Sequence, residues 1–129
     1  MYEVAKRLGF TTMGIVSTQA RDQAVPLSKC VDHVFFVKDA TWGGRLAHGG
    51  ALSPTSTAIV GISTVFVGIG GGDVTRDELL AARRASKPVT FVAADMNHAL
   101  AVEKAKKAGR PAPTQFSGSA HDALAGSGR

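Results

Sequence analysis

The sequence has one cysteine and few aromatic residues, and these shortages exclude several classes of protein. Cys30 cannot form a disulfide within the chain and provides no Cys-x-x-Cys pair for zinc or redox chemistry. A reducing compartment fits this cysteine usage best, so we expect a cytoplasmic protein. With 6% aromatic residues the chain offers few rings to stack on bases, which argues against binding of single-stranded nucleic acid.

A long hydrophobic run is also missing. The longest mainly apolar stretch, residues 58–69, is interrupted by glycines and hydroxyl residues and is too short to cross a bilayer, so we predict no membrane segment. The net charge of +5 comes from lysines and arginines spread along the chain, a pattern typical of solvated helix surfaces and not of a nucleic-acid interface. The histidines are too far apart in the sequence to indicate a metal site, and we predict none.

What the chain does contain is an alternation of short β-favouring runs and helical segments. The pattern predicts strands at 11–17, 33–37, 64–67 and 88–93, and helices at 2–8, 54–62, 76–85 and 96–108. Apolar strands separated by helices favour a parallel sheet, so we predict an α/β fold, a Rossmann-like three-layer domain over residues 1–110. Residues 111–129 are rich in glycine, serine and alanine, and we predict a mobile or partner-docking C-terminal tail.

The segment GIGGGDVTRDELL, residues 68–80, places four glycines in five positions between a predicted strand and a predicted helix. In open parallel sheets, ligands bind outside the carboxyl ends of the strands, where this turn falls. Free amides at the following helix start favour a phosphate, and Thr75 adds a hydroxyl donor. We therefore predict that Gly70, Gly71, Gly72 and Thr75 bind a nucleotide or another phosphorylated small molecule. The pattern matches neither a Walker loop nor the Gly-x-Gly-x-x-Gly dinucleotide motif, and it names no cofactor.

Residues 71–78 resemble the Gly-Gly-x-Gly-Thr-x-x-Glu signature of the "lonely guy" phosphoribohydrolases and of the related molybdenum-cofactor carrier proteins. The runs STVFVGI before it and KPVTFV after it are similar to the strands that flank the signature in that superfamily. The resemblance implies a Rossmann-like, nucleotide-binding fold. For an enzyme of this kind it implies catalysis at Glu78, which would polarise the ribose, together with Arg45 in ATWGGRL, which would clamp the phosphate.

The sequence departs from the family pattern at three places. Val74 replaces the second-motif glycine, Leu46 stands where the family has a lysine, and the family's first strand has no counterpart ahead of Met1. A sheet that lacks this strand should expose an edge or an apolar face, so we expect a homo-oligomer.

Three functions stay open at this point. The chain is a binding protein for a phosphorylated ligand, a nucleoside monophosphate phosphoribohydrolase-like enzyme, or a structural oligomer without a working pocket. The structural alternative has a local basis, because Thr75 and Glu78 also fit a Thr-x-x-Glu capping box at a helix start.

Overall fold

The structure, a computed structural model, describes residues 1–94, 98–112 and 118–124. The chain divides into two compact units, Met1–Ile62 and Ser63–Arg129, whereas the sequence suggested one domain over residues 1–110. Each unit contains helices and one parallel pair of strands, which confirms the α/β class at this level of detail.

The first unit combines one strand pair with three helices. Its elements in chain order are α1 (Tyr2–Arg7), β1 (Met13–Ser17), α2 (Thr18–Asp22), β2 (His33–Val37) and α3 (Pro54–Ile62). The bounds of β2 and α3 are those predicted. Helix α3 starts where expected because Ser53 caps it, its Oγ accepting a hydrogen bond from the Ser56 amide at 3.3 Å.

One face of the β1–β2 sheet is only partly covered. Strands β1 and β2 pair in register from Met13 opposite His33 to Ser17 opposite Val37, and α3 packs on both strands. A groove of about 310 Å³ remains, which we call the apolar groove. It is lined by Met13, Ile15, Phe35, Val37, Ala58 and Ile62. Two of its apolar residues are largely exposed to solvent, Phe35 at 54% and Ile62 at 62%.

The second unit is built around the other strand pair. Its elements are β3 (Phe66–Ile69), α4 (Asp73–Arg84), β4 (Val89–Val92), α5 (His98–Lys107) and α6 (Ser119–Leu124). Strands β3 and β4 pair in parallel, with Phe66 opposite Val89 and Ile69 opposite Val92. Helix α4 packs on this sheet through Leu79, which lies over Gly68, where a Cβ would collide with the leucine side chain.

The C-terminal segment contributes to the core of the second unit. Within the predicted tail, residues 119–124 form α6, which packs on α4 and fully buries Ala120 and Leu124. This part of the tail therefore packs on α4 of the same chain. Residues 96–97, the predicted start of the last helix, lie outside the described residues.

Candidate functional site

The glycine turn after β3 has a backbone that requires glycine at two positions. Gly70 and Gly71 have φ angles of +61° and +110°, in the left-handed region that other residues rarely adopt. A Cβ at Gly70 would collide with the carbonyl oxygen of Ala94, and one at Gly71 would collide with the side chain of Thr75. The backbone conformation of the turn therefore requires glycine at these two positions. The turn also brings the Thr75 side chain against Gly71.

Helix α4 starts immediately after this turn and leaves its first amides without acceptors. Gly72 is the N-cap residue and has no side chain with which to cap. The first helical hydrogen bond runs from the Arg76 amide to the Gly72 carbonyl at 3.0 Å. Within the described part of the chain, no residue accepts a hydrogen bond from the amides of Asp73, Val74 or Thr75. Asp73 and Val74 are exposed and Thr75 is half-buried, so these donors lie at or near the surface of the second unit.

The capping-box hypothesis for Thr75 and Glu78 is wrong. The helix begins three residues earlier than predicted, so Thr75 is its third residue and Glu78 its sixth. The earlier start has a physical reason, because Gly72 ends the turn and Asp73 then places a carboxylate in the first helical turn, where negative charge is favoured. The threonine hydroxyl is therefore not needed as the N-cap.

The charged groups near the turn are largely paired with one another. The Arg76 guanidinium lies 3.3 Å from the carboxylate of Asp73 and 2.9 Å from that of Asp77, which is buried. Because two carboxylates already share this arginine, a phosphate at the turn would depend on the backbone amides and on the Thr75 hydroxyl.

Helix α6 lies directly against the glycine turn. Gly118 approaches the Gly71 carbonyl so closely that a Cβ on Gly118 would come within 3.0 Å of the oxygen. The Ser119 hydroxyl donates a hydrogen bond to the Asp73 carboxylate, and the His121 ring packs edge-on against Phe91 of β4 with centroids 6.4 Å apart. Sequence reasoning missed this contact, since no local pattern signals a pairing between residues 46 positions apart.

The two residues predicted to be catalytic lie in different units. Glu78 is half-buried on α4 in the second unit. Arg45 belongs to the first unit, where its exposed side chain donates from Nε to the Gly50 carbonyl at 3.1 Å. The structure therefore describes Arg45 and the glycine turn separately, and the catalytic role of this pair stays a prediction.

A buried carboxylate in the first unit was not anticipated. Asp39 is 4% exposed and accepts hydrogen bonds from the amides and hydroxyls of Thr41 and Thr55, at 2.7 to 3.0 Å. Burial alone would raise its pKa, but the hydrogen bonds from Thr41 and Thr55 outweigh burial and hold the pKa well below its usual range. Since Thr55 lies in the first turn of α3, Asp39 occupies the position that an anionic ligand would take at this helix start.

The described residues include no group of three or more histidine, cysteine, aspartate or glutamate side chains placed to hold a metal ion. Across the same residues, every helix is too short or too polar to cross a membrane. Comparison with protein-family models, curated proteins and solved structures found no match. The resemblance to the phosphoribohydrolases therefore stays a prediction, and the function has to be argued from the geometry of the turn.

Proposed function

We propose that this protein binds a nucleotide or another phosphorylated small molecule at Gly70, Gly71, Gly72 and Thr75. One observation carries the proposal: three helix amides without acceptors among the described residues, two of them in the exposed residues Asp73 and Val74, follow two glycines whose backbone allows close approach. The helix dipole adds a partial positive charge at the same place, and such helix starts bind phosphate in many proteins. The adjacent Thr75 hydroxyl supplies a further donor.

The proposal extends to the fold. Each parallel pair connects strand to strand through a helix, which is the unit from which Rossmann-like sheets are built. In such sheets ligands bind beyond the carboxyl ends of the strands, and the turn directly follows the end of β3 at Ile69. We therefore propose a Rossmann-like arrangement in which the glycine turn forms the ligand site.

Removal of the Thr75 hydroxyl tests the site without changing the shape of the side chain. Because Thr75 is not the N-cap, Thr75→Val should leave the melting temperature nearly unchanged. The loss of one hydrogen bond to an anionic ligand should weaken binding by roughly tenfold. The measurement is the rise in melting temperature produced by millimolar nucleoside monophosphates and dinucleotides.

Thr57→Val is the matched control, because Thr57 is an exposed threonine near the start of α3 in the other unit. The control should keep the full ligand-induced stabilisation of the wild-type protein. A wild-type melting temperature that no phosphorylated ligand raises would contradict the proposal, as would equal stabilisation of both variants.

A further inference from the structure

The outer edge of β2 is open to pairing with a further strand. Among the residues that the structure describes, β2 pairs with β1 and with no other strand. The His33 amide donates to the Thr12 carbonyl at 3.1 Å, so His33 directs its backbone groups towards β1. Because these groups alternate in direction along a strand, Val34 and Phe36 direct theirs to the outer edge. Within the described part of the chain these outward groups have no hydrogen-bond partner.

This edge lacks the features that usually prevent strand pairing. The strand HVFFV contains no proline, lysine or acidic residue, and its β-branched and aromatic residues favour an extended backbone. Large side chains are exposed on both faces of the sheet, because Phe35 and Phe36 point to opposite faces and are 54% and 42% exposed. An edge of this kind is a template for a further strand.

A second copy of β2 fits this edge when the two strands run antiparallel. With Phe35 opposite Phe35 of the second copy, Val34 lies opposite Phe36 of that copy. Both residues of such a pair direct their backbone groups to the edge, so each amide donates to the carbonyl of the other. The outward groups of β2 are then satisfied by the same groups of the second copy.

The flanking charges favour this register over its neighbours. Centring the pair on Phe35 places Lys38 opposite Asp32 of the second copy at both ends, and cross-strand pairs of opposite charge are stabilising. Asp32 already binds Lys6 of its own copy at 2.6 Å, but a carboxylate can accept from a second cation. A register centred on Val34 would place Asp32 opposite Phe36, and one centred on Phe36 would place Lys38 opposite Val34. In both, a charge meets an apolar side chain.

The same arrangement covers the exposed part of the apolar groove. Phe35 lines the groove together with Ile62 of α3, and it lies at the centre of the proposed strand pair. Opposite residues that exchange no hydrogen bonds have the closest side chains, so the two Phe35 rings would pack together on this face. Their burial removes one large apolar side chain of each copy from water, which stabilises the contact.

We propose that this protein dimerises through β2, with two copies of the strand paired antiparallel about Phe35 into one continuous sheet. The partner at the edge is a second copy of this chain, and both copies contribute the same residues. The inference is independent of the proposed ligand site, because that site consists of residues 70–75.

Disulfide crosslinking of the full chain tests the register. Phe35→Cys in a Cys30→Ser background places two thiols opposite each other, at a Cα separation of about 4.5 Å that suits a disulfide. Phe36→Cys in the same background is the matched control, because this neighbouring position is similarly exposed but lies opposite Val34 and not opposite itself. Under oxidation by diamide at micromolar protein, the first variant should form covalent dimer about tenfold faster. Equal rates, or a faster reaction of the control, would overturn the proposal.

A charge reversal at Lys38 tests the pairing without changing β2 itself. Lys38→Glu places like charges opposite each other at both ends of the strand pair. The dissociation constant of the dimer, measured by analytical ultracentrifugation, should therefore rise by about tenfold. Lys106→Glu is the control, because it makes the same change of charge at an exposed residue of α5 and should leave the constant unchanged. An equal constant for the two variants, or a wild-type protein that stays monomeric throughout the micromolar range, would overturn the β2 dimer.

Discussion

The buried carboxylate of Asp39 joins the chain after β2 to the first turn of α3. Asp39→Asn keeps one oxygen but turns an NH₂ group towards a backbone amide that can only donate, although the threonine hydroxyl beside it can rotate to accept. We expect the free energy of unfolding to fall by about 2 to 3 kcal/mol, which is the cost of leaving buried donors without an acceptor. Urea unfolding followed by circular dichroism measures this change.

The control is Asp22→Asn, since Asp22 is exposed and its carboxylate pairs with the neighbouring Arg21 side chain at 3.3 Å. It should change the free energy of unfolding by less than about 0.5 kcal/mol. Equal stability of the two variants would show that the Asp39 hydrogen bonds do not stabilise the fold.

Asp39 also makes the stability of the protein depend on pH. The pKa of Asp39 is lower in the folded protein than the ordinary value of 3.8, so its contribution is complete above that value and is lost as the pH falls below it. Asp32 acts in the same direction, because a hydrogen bond from Lys6 and another from the Thr12 amide lower its pKa to about 2. Asp39→Asn should therefore reduce the loss of stability below pH 4 without abolishing it.

The left-handed backbone of Gly70 in the strand-to-helix turn should not tolerate a side chain. Gly70→Ala should destabilise the protein by more than about 1 kcal/mol, because φ is +61° and the new Cβ would meet the Ala94 carbonyl. Gly61→Ala is the opposite case, since Gly61 is helical and its Cβ would meet open space, so stability should rise by up to about 1 kcal/mol. Thermal unfolding of both variants measures the contrast, and a stabilising Gly70→Ala would contradict the turn geometry.

Local signals in the sequence predict some elements well and mislead at others. Ser53 and Pro54 mark the start of α3 correctly, because capping depends on residues within one turn. At α4 the Thr-x-x-Glu pattern predicted a start at residue 76, whereas Gly72 is the N-cap and the helix starts at Asp73. The glycine turn itself was recognised from its composition, and its left-handed backbone confirms that glycine is required there.

The features of each unit that sequence reasoning missed depend on contacts between distant residues. Asp39 accepts a hydrogen bond from Thr55, 16 positions away in the sequence, and Ser119 donates one to Asp73, 46 positions away. Neither pair has a periodicity or spacing that a local pattern would reveal. Their pairing becomes visible only when the strands and helices are placed in space.

Each unit exposes large apolar side chains on or beside its strand pair. The apolar groove in the first unit is one such surface, and Val65 and Val67 in the second unit are 62% and 60% exposed. Parallel sheets normally have both faces covered, and two-stranded sheets are marginal alone. The groove residues are all uncharged, so contact with a second copy there would bury no charged side chain of the lining.

We therefore expect a homo-oligomer whose interface includes the apolar groove. Light scattering at micromolar concentration should give at least twice the monomer mass of 13.3 kDa. Phe35→Lys would place a charge in the groove and should shift the protein towards the monomer. Leu8→Lys, at a 70% exposed position outside the groove, should not. A wild-type mass of one chain at this concentration would contradict the expectation.

Binding of a phosphorylated ligand at the glycine turn is tested most directly by the backbone amide signals of the labelled protein. We predict that titration with a nucleoside monophosphate produces saturating chemical-shift changes centred on residues 70–75, because the amides of residues 73–75 within this segment would donate to the phosphate. Signals of the first unit near Asp39 serve as the internal reference and should move little, since that helix start already has its own carboxylate. Saturating changes elsewhere without changes at 70–75, or none at millimolar ligand, would contradict the assignment of the site.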